Sequence, residues 1–138
     1  VQPKIIAGSN HTDSRGTLTF NNDFNMSEIK RVYTIENNSV NFVRAWQGHK
    51  IEQRWFSAIE GSFKIKLIEI DHWETPSKDL KPIEFILSSH TFDILHVPQG
   101  FISSIQALEE KSKLLLFSNF ELNEIEDEYR FANDYFVG

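Results

Sequence analysis

Residues 62–70, SFKIKLIEI, place apolar Phe63, Ile65 and Leu67 in alternation with Lys64 and Lys66. A period of two belongs to a strand with one face buried and one wet, so Lys64 and Lys66 are expected on the outside. Other short β-rich runs are IKRVYTI at 29–35, DILHV at 93–97 and KLLLF at 113–117. Between the runs lie turn signals: DSRG at 13–16, NNDFN at 21–25, ENNS at 36–39, EG at 60–61, PQG at 98–100 and EEKS at 109–112. Many short strands broken at such intervals predict an all-β sandwich or barrel. ETPSKDLKP at 74–82, with two prolines and two lysines, predicts a loop or edge excursion. The acidic and aromatic ELNEIEDEYRFANDYF at 121–136 predicts either a short helix or a strap across a barrel mouth.

A chain of 138 residues suits one domain, here 1–138, with no repeat or boundary inside it. Aromatic residues reach 13%, including 12 Phe, which favours β structure and a filled interior. The net charge of -6 argues against nucleic acid or an anionic membrane as a partner; an anionic ligand would need local arginines. Cysteine is absent, which removes disulfides, thiolate nucleophiles and Cys-ligated zinc together. No apolar run is long enough for a membrane span, and VQPKIIAGSN at the start has no apolar leader core. A cytoplasmic location is the expectation.

The chemistry gathers in VRAWQGHKIEQRWFSAIEG, residues 43–61. Barrels of the cupin type hold a metal with two histidines one residue apart, a glutamate five residues later and a glycine seven beyond that. Those positions carry Gln47, His49, Arg54 and Gly61. The second cupin block, a proline, a glycine two later and a histidine three after that, reads Pro98, Gly100 and Ser103. The register matches while the ligands are replaced, and a permanent guanidinium at one of them repels a divalent cation. No metal and no other cofactor are expected.

DSRGTL at 13–18, EIKRVYTI at 28–35 and HKIEQ at 49–53 after Arg44 resemble the WxcM-like dTDP-4-keto-6-deoxyglucose 3,4-ketoisomerases. The insertion around DHWETPS, then LHVPQGF at 95–101 and the acidic-aromatic tail, resemble the dTDP-4-dehydrorhamnose 3,5-epimerases. The resemblance covers nearly the whole chain. It implies a cupin jelly roll, or double-stranded β-helix barrel, that is homodimeric with strands crossing between subunits. It also implies a dTDP-linked 4-keto sugar as substrate, in deoxysugar or surface polysaccharide biosynthesis. Carried over by position, Arg15 matches an arginine that helps hold the nucleotide, Arg44 one beside the catalytic histidines, and His49 the second histidine of the ketoisomerase pair. The first histidine of that pair is Gln47 here, the epimerases' tyrosine acid falls on Leu115, and Ser103 stands at a family His or Arg.

Isomerisation or epimerisation beside a ketone begins with removal of an α proton, which takes a base near neutral pKa and a donor for the enolate oxygen. His49 is the candidate base. Arg44 and Arg54 are placed to stabilise the enolate or the diphosphate, and Gln47 donates a hydrogen bond but moves no proton. Tyr33 and His96 are candidates for a second group. Against that stand a core aromatic at Tyr33 and a hydrogen-bonded barrel histidine at His96. Arg15, Arg54, Ser103 and His96 are the candidate substrate contacts. Trp46 and Trp55 offer faces for a sugar or base, with barrel packing as the competing role. His11, His72 and His90 lie in or near turns. Two functions remain open: an isomerase of a nucleotide-linked 4-keto-6-deoxyhexose, or a non-catalytic cupin that binds a nucleotide sugar after loss of its acid–base pair.

Overall fold

A computed structural model describes residues 1–137. The strands of the first half are β1 (Lys4–Ile6), β2 (Ser9–Asp13), β3 (Gly16–Phe20), β4 (Arg31–Ile35), β5 (Val43–His49) and β6 (Arg54–Glu60). Those of the second half are β7 (Ser62–Glu69), β8 (Ile83–Ser88), β9 (Ile94–Val97), β10 (Phe101–Ala107), β11 (Lys113–Ser118) and β12 (Tyr129–Arg130). One five-stranded sheet runs β1-β9-β6-β11-β4 and the other β12-β5-β10-β7-β8. Every pairing is antiparallel. The two sheets share one apolar interior, as the jelly-roll expectation requires.

The alternation of β7 is realised as written: Phe63, Ile65 and Leu67 are fully buried while Lys64 and Lys66 stay on the other face. Each such side chain contributes about 1.5–3 kcal/mol by leaving water. They pack against Leu95, Leu114 and Leu116 of the opposite sheet, so the bottom of the barrel is dry. The turn at Glu60–Gly61 needs glycine, because φ there is +67° and a Cβ would stand 2.1 Å from Ser112 Oγ.

β5 departs from simple alternation. Its register against β10 pairs Ser103 with Gln47 but Ile105 with Arg44, so β5 carries an extra residue between them. Such a bulge shifts which face each side chain takes. Arg44 and Gln47, three apart, therefore both border the same cavity, Arg44 from an exposed position. Gly48 beside them is a close-approach position: a Cβ would lie 2.3 Å from the Phe101 carbonyl oxygen and 2.5 Å from Ile102 Cα.

ETPSKDLKP is a loop, as expected. The tail is a strap rather than a helix: β12 adds to the edge of the sheet through Tyr129 opposite Gly48 and Arg130 opposite Gln47. Asp127 anchors it by accepting the backbone N–H groups of Lys50, Ile51 and Glu52 at 3.1, 2.8 and 2.8 Å. Beyond β12, Phe131 exchanges two backbone hydrogen bonds with Trp46, and Phe136 sits edge-on to the Trp46 ring. Among the described residues no helix is long and apolar enough to cross a membrane.

Candidate active site

The open end of the barrel holds a cavity of about 230 Å³. Its floor is apolar, formed by Phe56, Val97, Phe101, Ile105 and Leu116. Its upper wall is polar, and each group comes from a strand position facing inward. β4 supplies Arg31 and Tyr33, β5 supplies Arg44, Gln47 and His49, β6 supplies Arg54, and β10 supplies Ser103. A second cavity, of about 570 Å³, lies under the strap and shares Arg31, His49, Arg54 and Glu128 with the first.

Arg54 organises the wall. It is almost fully buried, and so is its partner Glu52, whose Oε2 accepts from Arg54 Nε and, at 2.6 Å, from the Ser118 hydroxyl. With Nε fixed, the two amino ends of the guanidinium point to different targets: Nη1 donates to the Tyr33 oxygen, and Nη2 lies 3.0 Å from His49 Nε2. A guanidinium has no acceptor, so the imidazole accepts through Nε2 and its one proton sits on Nδ1. Burial, and then the charge of Arg54, push the His49 pKa down from 6.5 to about 4, against smaller opposite effects of Glu52, Asp127 and Glu128. At neutral pH the ring is therefore uncharged.

Tyr33 also lies under Arg31, whose guanidinium carbon is 4.8 Å from the ring centroid. Arg31 and Arg44 form no ion pair among the described residues. At the rim, Gln47 Nε2 donates to Glu128 Oε1 at 2.9 Å, and Arg130 Nε donates to Glu128 Oε2 at 2.8 Å. Ser103 donates to the Gln47 carbonyl at 3.3 Å. Among the described residues no three His, Cys, Asp or Glu side chains gather as a metal site.

Six of the eight expected site residues, Tyr33, Arg44, Gln47, His49, Arg54 and Ser103, thus line one cavity. Two do not. Arg15 stands at the exposed tip of the β2–β3 hairpin, ion-paired to Asp13 at 2.7 Å, and lines no part of this cavity within its own chain. His96 points to the outer face of its sheet, because its neighbours Leu95 and Val97 take the interior. It stacks on Trp55 with ring centroids 5.1 Å apart and bonds Gln53 Oε1 at 2.7 Å, the hydrogen-bonded barrel histidine that was its alternative reading. Trp46 and Trp55 both pack outside the lumen. Leu115 faces outward too, while Tyr33, paired with Leu116 on the next strand, brings a phenol into the lumen.

Sequence reading assigned no role to Arg31, Glu52, Asp127, Glu128 or Arg130. Arg31 was within reach of it, since it precedes Tyr33 by two positions on one strand and so shares its face. Glu52 and the strap residues carried no local signal.

Two antiparallel sheets closed around one polar-mouthed, apolar-floored lumen define a cupin-type barrel. The chain belongs to the FdtA family (WxcM-like, C-terminal), whose profile matches residues 2–136. No curated protein matches it. Among solved structures it is similar to a 3,4-ketoisomerase from Helicobacter canadensis, with 22% identity and a TM-score of 0.70 over 96% of this chain and 93% of that one. A variant of the 3,4-ketoisomerase QdtA from Thermoanaerobacterium thermosaccharolyticum, in complex with TDP-4-keto-6-deoxyglucose, matches with 21% identity and a TM-score of 0.73 over 96% and 90% of the two chains. The dTDP-4-dehydrorhamnose 3,5-epimerase of Bacillus anthracis matches with 14% identity and a TM-score of 0.72 over 91% and 76%.

Proposed function

We propose that the protein is a sugar 3,4-ketoisomerase acting on a dTDP-linked 4-keto-6-deoxyhexose in deoxysugar or surface polysaccharide biosynthesis, without a metal. The observation that carries the reading is His49: one neutral imidazole, bonded to the Arg54 guanidinium that also holds Tyr33, in a cavity closed below by apolar side chains. Family membership and the TDP-sugar bound to the similar QdtA variant support the substrate class.

In this reading the unpaired Arg31 and Arg44 face the diphosphate, and the sugar ring enters the cavity. The ketone oxygen takes over a donor of Arg54, which frees the Nε2 lone pair of His49. His49 removes the proton from carbon 3, and the C–H electron pair forms the C3–C4 double bond. Tyr33 and Arg54 donate hydrogen bonds to the charge that develops on oxygen 4. Collapse of the enediol to the 3-ketone then takes a proton from the imidazolium at carbon 4. Gln47 and Ser103 serve as polar contacts to sugar hydroxyls. Arg15, on a hairpin exposed along both faces, serves the nucleotide only from a partner subunit, so the working unit is a homodimer.

The test is incubation with dTDP-4-keto-6-deoxyglucose in deuterated water. Deuterium at carbon 3 of the recovered 4-keto substrate, and a product with its carbonyl at carbon 3 and deuterium at carbon 4, are expected, and both persist after chelation of metals. His49→Ala abolishes exchange while dTDP affinity stays roughly intact. Tight dTDP binding with no exchange in the unaltered protein would overturn the enzyme reading in favour of a nucleotide-sugar binder that has lost its acid–base pair.

A further inference from the structure

Moving a carbonyl between adjacent carbons requires two proton transfers of different kind. One proton leaves carbon 3 and one arrives at carbon 4; a second must leave oxygen 3 and reach oxygen 4. An imidazole occupied with the carbon proton cannot carry the hydroxyl proton in the same interval. The position that holds a histidine in the ketoisomerase pair is Gln47, whose amide moves no proton.

At that position the strap delivers a carboxylate. Gln47 Nε2 donates to Glu128 Oε1 at 2.9 Å, and Arg130 Nε donates to Glu128 Oε2 at 2.8 Å. Each carboxylate oxygen keeps a further lone pair. Glu128 lines the cavity together with His49, and the pairing of β12 with β5 begins at the next residue, with Tyr129 opposite Gly48 and Arg130 opposite Gln47. The same carboxylate reaches the strap cavity and is half open to water, so it is able to exchange protons.

We propose that Glu128 is a second catalytic residue: its carboxylate takes the proton from oxygen 3 and delivers it to oxygen 4, the role that Gln47 cannot fill. The inference rests on the ketoisomerase reading above. The step is balanced, since the O3–H bond breaks as the C3 carbonyl forms, the O4–H bond forms at the former ketone, and the carboxylate ends as it began. The two oxygens of a carboxylate suit the two adjacent oxygens of the enediol. Return of the enolate to starting ketone, by contrast, uses only the carbon proton and does not need Glu128.

Glu128→Gln keeps the size of the side chain and one of its two acceptor contacts, and removes the proton carrier. Carbon-3 deuterium exchange and formation of the 3-keto sugar are measured separately by NMR, with dTDP affinity and thermal midpoint as controls. The expected result is exchange within about threefold of the unaltered protein, with isomerisation slowed by about 100-fold or more, the lower end for a positioned proton carrier. Isomerisation slowed by less than that, or exchange and isomerisation lost together, would overturn the role of Glu128 while leaving His49 as the base. Absence of exchange in the unaltered protein would overturn the ketoisomerase reading and this inference with it.

Discussion

Arg54 Nη2 lies 3.0 Å from His49 Nε2, so a permanent positive charge donates to the one lone pair that a histidine base would use. Burial, and then this contact, hold the imidazole neutral down to pH about 4. The folded pKa lies below the unfolded value of 6.5, so between those limits the unfolded chain takes up a proton that the folded one refuses. The stabilisation is therefore complete above about pH 6.5 and lost as the pH falls toward 4, by up to about 3 kcal/mol. Urea denaturation across that range should show a shallower loss for His49→Gln than for the unaltered protein, and equal slopes would refute the assignment. NMR titration should show the His49 pKa rising in Arg54→Gln, and rising when dTDP binds and its phosphates offset the guanidinium charge.

Glu52 and Arg54 are a buried pair with a third member, Ser118, completing the carboxylate's contacts. Removing one charge strands the other away from water. Glu52→Ala should cost about 3–5 kcal/mol in chemical denaturation, and Ser118→Ala about 1–2 kcal/mol. The double variant Glu52→Ala with Arg54→Met should recover much of the single loss, because neither charge is then left alone. Additive losses would show that the pair does not act as a unit.

The parts of this arrangement legible in the sequence are those carried by short-range period. Phe63, Ile65 and Leu67 announced the buried face of β7, and motif register alone brought Gln47, His49, Arg54 and Ser103 to one lumen. The same period, applied to DILHV, sends His96 to the face opposite Leu95 and Val97, where the structure has it. Arg44 is different. Strict alternation from Gln47 would send it outward, and only the extra residue in β5 brings it to the border of the cavity. Asp127 and Glu128 bond partners 76 and 81 positions away, and no local pattern reports contacts of that span.

The strap depends on Asp127. Its carboxylate accepts three backbone N–H groups from the β5–β6 connection, all of which lose their acceptor together in Asp127→Ala. Hydrogen bonds to a charged group are worth about 1.5–3 kcal/mol each when buried, but water reaches part of this site, so a loss of about 2–4 kcal/mol is expected. Release of the strap should also free the backbone around Arg130, whose side chain is already exposed, for cleavage by trypsin. Limited proteolysis followed by mass spectrometry should show faster cleavage after Arg130 than in the unaltered protein, and an unchanged rate would place the anchor elsewhere.

Tyr33 takes up the lumen position that Leu115 cannot, because in the β4–β11 pairing Tyr33 lies opposite Leu116, which faces in, while Leu115 faces out. Its oxygen already accepts from Arg54, so the phenol proton remains free to point at a sugar oxygen. A donor aimed at developing enolate charge acts before the hydroxyl proton moves. Tyr33→Phe should therefore slow carbon-3 exchange and isomerisation by the same factor, about 100-fold or more, unlike the split expected for Glu128→Gln. The ring and its packing survive the change while Arg54 Nη1 loses its acceptor, so a loss of about 1–3 kcal/mol is expected in chemical denaturation. Unchanged exchange in Tyr33→Phe would remove the phenol from the reaction and leave Arg54 as the sole donor to the enolate oxygen.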